Sequence, residues 1–165
     1  MNANSELRIQ QAATGFVVSV AGRGTLRQIP LLERFAKRCL ACERCDLFVD
    51  LTGCSYLDST FAGCLVSLCK QFSSQASQFA IVATPADCTQ LFGQLGLRDY
   101  FPVLPSRPET TGAYLNLTEE EDETLTIANH VLQCHRELSD VEGPQQELFR
   151  QLVSQIEAEL DEKTR

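Results

Sequence analysis

Apolar and polar positions along the chain follow two periods. Short apolar runs bounded by turn residues read as strands, and longer stretches with apolar residues every three or four positions read as amphipathic helices. Residues 6–12, ELRIQQA, alternate Leu7 and Ile9 with Arg8 and Gln10 and predict a weak strand. Ala13-Thr14-Gly15 is a turn, and Phe16-Val17-Val18-Ser19-Val20-Ala21 is a run of strong β-formers, so the two segments predict a hairpin. Gly22-Arg23-Gly24-Thr25 breaks the pattern. Ile29, Leu32, Phe35, Ala36, Cys39 and Leu40 then share one face of a helix over 26–41, with Pro30 in its first turn.

The stretch from Asp46 to Lys70 organises the rest. Leu47-Phe48-Val49 is a buried strand ending at Asp50-Leu51, and Thr52-Gly53-Cys54-Ser55 is turn material continued by Tyr56-Leu57. Asp58-Ser59-Thr60 starts a helix, because short oxygen-bearing side chains accept hydrogen bonds from the first-turn N–H groups. Ala62, Leu65, Val66, Cys69 and Phe72 form its apolar face. A hydroxyl therefore sits where a strand hands over to a helix, the usual place for a functional group in an α/β domain.

A second buried strand follows at 79–83. Thr84-Pro85 opens a helix with Cys88, Leu91, Phe92 and Leu95 on its apolar face, and Gly96 stops it. Tyr100–Leu104 is a last short strand, which Pro102 confines to a sheet edge. The order β-β-α-β-α-β-α-β predicts an α/β domain over residues 1–104: a mixed sheet covered by helices. Residues 105–117 read as a linker. Residues 118–165 read as an acidic extension with a capping box at Thr118–Glu121, two amphipathic helices and a turn at 139–144. The apolar stripes of that pair need cover, and a homodimer through the C-terminal helices is one way to supply it.

Charge separates the two parts. Residues 1–105 carry nine Lys/Arg and eight Asp/Glu, and residues 106–165 carry five and fourteen, so balances of +1 and −9 make up the chain's −8. An acidic tail is a poor nucleic-acid ligand. No apolar run reaches the roughly 18 residues of a membrane span, and the N-terminus lacks a secretory pattern, so direct membrane insertion is not expected and a cytoplasmic location is.

Other chemistry is thin. Cys39, Cys42 and Cys45 form a C-x2-C-x2-C series, but a tetrahedral site needs a fourth ligand, and His130 and His135 are far off in the tail. The eight cysteines are expected mostly as small core hydrophobes, with no metal and no cofactor. Gly22-x-Gly24 lacks the third glycine of a dinucleotide fingerprint and the Lys-Ser/Thr of a P-loop. No Ser/His/Asp set or carboxylate pair can be assembled, so the chain is not expected to be an enzyme.

Residues 7–104 resemble a STAS domain, the fold of bacterial anti-sigma factor antagonists. The resemblance rests on the strand ending Asp50-Leu51 that leads to Tyr56-Leu57-Asp58-Ser59-Thr60, on the order of elements, and on Thr89-Gln90-Leu91-Phe92-Gly93-Gln94-Leu95-Gly96-Leu97. It implies a protein switch. The unphosphorylated antagonist binds an anti-sigma factor serine kinase of histidine-kinase-like ATP-binding fold, phosphorylation of the Ser after the Asp breaks that complex, and a serine phosphatase restores it. By position the phosphorylated residue is Ser59, with Thr60 as backup, and the partner-binding set is Asp58, Ser59, Thr60, Phe61, Gly63, Arg23 and Thr25. Three features depart from the family pattern. Phe61 stands where a Gly is usual, although Gly63 matches; Arg23 occupies a loop that often carries an acidic residue; and the tail lies outside the minimal domain. STAS domains also sit on membrane transport complexes as accessory subunits that need no phosphate cycle, and this is the alternative that Phe61 and the tail stripes suggest.

Overall fold

The computed structural model of the protein describes residues 5–42, 44–117 and 158. The two helices expected within 118–165 therefore lie outside the described residues, apart from position 158, which is helical and exposed.

Strand β1 (Glu6–Ala12) and strand β2 (Gly15–Gly24) form the expected antiparallel hairpin, with Leu7 opposite Val20 and Ile9 opposite Val18. A 3-10 turn (Leu26–Gln28) leads into helix α1 (Ile29–Leu40), which carries Pro30 in its first turn. Strand β3 (Asp46–Asp50) is buried along its whole length. Strand β4 (Cys54–Leu57), helix α2 (Ser59–Ser74), strand β5 (Phe79–Val82), helix α3 (Pro85–Phe92), strand β6 (Val103–Leu104) and strand β7 (Thr110–Asn116) follow. A second 3-10 turn (Gly93–Leu95) closes α3, and Gly96 takes a left-handed conformation at φ 71°, which only glycine adopts at little cost.

The sheet order is β6-β5-β3-β2-β1-β7, with β4 paired to β2 off this path. β2, β3, β5 and β6 are mutually parallel. Each crossover steps in the same direction across the sheet. Right-handed crossovers that all step one way put their helices on one face. The main core lies there, with Phe61, Phe72, Phe92, Leu32 and Leu65 buried against Val18, Val49 and Ile81. This α/β sheet with helical cover is the expected fold class.

Two expectations need correction. Residues 54–57 are a strand and not a turn and loop. β2 has ten residues and β3 five, so Gly22–Gly24 projects beyond β3 with an open side. A turn closed by Cys54 N–H donating to Leu51 C=O (3.0 Å) brings β4 alongside it in parallel register. Residues 105–117 are not a plain linker, because Thr110–Asn116 pairs antiparallel with β1 at the edge far from β6. The chain from β6 to β7 must therefore cross the helix-free face. Arg107 marks the crossing: its Nε lies 3.4 Å from Asp50 Oδ2 on β3, and its Nη1 donates to Tyr114 Oη on β7 (2.9 Å). Beside it a smaller apolar cluster holds Ala12, Val17, Phe48, Ala80 and Val82. Tertiary pairing of an otherwise open edge overrode the turn-rich composition of this segment.

Candidate functional site

The carboxyl ends of β2 and β4 lie side by side, with Arg23 opposite Tyr56 and Gly24 opposite Leu57. Asp58 follows Leu57, and its N–H donates to Gly24 C=O at 3.0 Å. Gly22 is fixed at the same corner, donating its N–H to Gly53 C=O (3.0 Å) and accepting from Ser55 Oγ (3.1 Å). Two backbone–backbone hydrogen bonds and one from the Ser55 side chain close the corner.

Asp58 is the helix cap of α2, as its residue type predicts, and it does more. Its Oδ1 accepts from Phe61 N–H at 2.7 Å, satisfying one first-turn donor of its own helix. Its Oδ2 accepts from Leu26 N–H at 3.1 Å, a donor at the start of the turn that leads into α1. One carboxylate thus ties the openings of two helices together. Ser59 is the first residue of α2 and is half-buried.

The residues singled out from the sequence divide into two groups. Arg23 is exposed, and Asp58, Ser59 and Thr25 are partly exposed at the corner, so these four share one surface. Thr25 is engaged locally: its N–H and its Oγ1 both donate to Gln28 Oε1, each at 2.9 Å. Thr60, at 7% exposure, Phe61, at 0%, and Gly63 are buried. Phe61 and Gly63 therefore form no docking surface, and Thr60 offers no accessible hydroxyl in this fold. Every position of α2 from 60 to 68 is buried, so the first half of the helix is covered on all sides and not on one face alone. Leu57 and Phe61 both pack close to the Cα of Gly24, Leu57 the more closely. A Cβ on Gly24 would clash with Leu57 Cδ2 and come within 3.1 Å of Phe61 Cδ1.

Tyr56 is a surface residue that periodicity did not select. It is 46% exposed, and the Arg23 guanidinium lies 4.6 Å from its ring centroid. Only the β2–β4 register brings the two together, so no local motif announces the pair.

Two of the three cysteines in the series behave as core. Cys39 and Cys45 are buried, and burial pushes both thiols above their ordinary range, which keeps them protonated. Cys42 is exposed and directs its Sγ to Arg38 C=O at 3.4 Å. Among the described residues no group of three or more His, Cys, Asp or Glu side chains could hold a metal ion. No helix among them is long and apolar enough to cross a membrane.

Comparison with protein families gives a match to the STAS domain model over residues 5–110, well over half of the chain. The matched span takes in α1, α2 and α3 and reaches the first residue of β7. Among curated proteins no relative matches.

Proposed function

The chain belongs to the STAS-domain family, and from that premise we propose that it is a phosphorylation-controlled partner switch of the anti-sigma factor antagonist type. In its unphosphorylated form it binds and neutralises an anti-sigma factor serine kinase. The kinase transfers the γ-phosphoryl group of ATP to Ser59 Oγ, releasing ADP, and the complex dissociates. A serine phosphatase hydrolyses the phosphoester and returns the binding form. The chain itself performs no catalysis in this cycle, holds no cofactor, contacts no nucleic acid and works in the cytoplasm.

The observation that supports this reading best is the contrast between neighbouring hydroxyls. Ser59 is partly exposed at the corner of β2 and β4, whereas Thr60 is buried. A kinase can reach the first and not the second. A phosphate on Ser59 is also compatible with the fold. The opening of a helix favours negative charge, and both oxygens of the adjacent Asp58 already accept backbone N–H bonds. Phosphorylation therefore changes the docking surface by about two negative charges without opening the core.

The test is a pull-down from the native host's extract with wild type, Ser59→Ala and Ser59→Asp, read by mass spectrometry, with circular dichroism confirming that all three fold. A kinase-fold protein is expected with wild type and Ser59→Ala and not with Ser59→Asp. Capture of the same proteins by all three variants would overturn the switch. Recovery of a membrane transport ATPase by all three would favour the accessory-subunit role instead.

A further inference from the structure

The two segments that build the corner, 22–28 and 52–60, carry three formal charges: Arg23, Arg27 and Asp58. Asp58 is occupied by two backbone N–H groups. Arg23 is different. Its main chain is anchored, since its N–H donates to Ser5 Oγ at 3.2 Å and its neighbours Gly22 and Gly24 are bonded to β4 and Asp58. Its guanidinium lies on the exposed ring of Tyr56 and, among the described residues, makes no ion pair. An exposed cation–ring contact is weak. Asp58 follows Leu57 and donates its N–H to the C=O of Gly24, the residue after Arg23, at 3.0 Å, and Ser59 comes next in the chain.

Resting on the proposed function, we propose that Arg23 is the side chain that reads the phosphate on Ser59. A phosphoserine offers two negative charges and three acceptor oxygens, and arginine meets such a group with parallel charge-assisted hydrogen bonds. These outcompete the ring contact. The guanidinium swings from Tyr56 to the phosphate, the aromatic face is bared, and the positive charge is cancelled. A single phosphorylation thus removes a cationic patch and exposes an apolar one at the surface where a partner docks.

The experiment uses the full chain with phosphoserine encoded at position 59, so it does not depend on a host kinase. The second ionisation of the phosphate is followed by phosphorus NMR in wild type, Arg23→Gln and Arg27→Gln, each shown to be folded. The ionisation is expected lower in wild type than in Arg23→Gln by about half a pH unit or more, because a nearby cation favours the dianion. Arg27→Gln should titrate like wild type. The Tyr56 ring protons should shift on phosphorylation in wild type and not in Arg23→Gln. Identical titration of wild type and Arg23→Gln would overturn the proposal, as would a shift that requires Arg27 instead. If the phosphate titrates as expected but Ser59 is never phosphorylated in the host, the switch function fails and the Arg23 contact stands. If the host phosphorylates Ser59 and no difference appears, only the Arg23 contact fails.

Discussion

Helices α2 and α3 both follow a parallel strand and both begin with a capping residue, but the caps differ in reach. Thr84 closes on its own helix: Thr84 Oγ1 accepts from Asp87 N–H at 3.1 Å, and Asp87 Oδ2 accepts from Thr84 N–H at 3.0 Å. All four groups lie within four residues, and Pro85 fits the first turn. Asp58 spends one oxygen on its own helix and the other on Leu26 N–H, 32 residues away in sequence. The α3 cap is a local device that would form in any fold. The α2 cap joins two elements and so fixes the corner that presents Ser59. The two caps are distinguished by where the second carboxylate oxygen goes, not by the presence of a capping residue.

The comparison can be broken by removing each cap. Asp58→Ala leaves two backbone donors without their charged acceptor and is expected to cost about 2 to 3 kcal/mol in urea unfolding. A loss no larger than that of Thr84→Ala would show that the Leu26 bond contributes nothing. Gly24→Ala probes the same corner through packing. Its new methyl group meets Leu57 first and Phe61 next, and overpacking of this kind costs about 2 kcal/mol; pairing it with Leu57→Val should recover part of that loss if the contact is the cause. Thr84→Ala should cost about 1 kcal/mol, the ordinary value for a local cap, and should leave binding of any Ser59-directed partner unchanged.

Much of the fold was legible in the chain. The hairpin, α1 with Pro30 in its first turn, the all-apolar β3 and β5, and the stop at Gly96 all follow from short-range rules. So did Asp58 as a cap and Ser59 as the hydroxyl beside it, because the capping preference acts within one turn. What was not legible depended on neighbours distant in sequence. Cys54–Leu57 became a strand only because β2 outruns β3. Thr110–Asn116 became one because β1 offers an edge and Arg107 finds Asp50 on the way across. The burial of Phe61 depends on what covers the first half of α2, where Leu57 and Phe61 close over Gly24.

Sequence by itself determined which residues form strands and helices in the main layer, and which hydroxyl stands at the head of α2. Periodicity and capping act over a few residues and need no partner. Tertiary structure alone decided that Tyr56 lies under Arg23, that Asp58 also holds Leu26, and that Ser59 is partly exposed while Thr60 is buried. Each of these is set by strand register and by what covers the first half of α2, and both are fixed only when the whole sheet assembles.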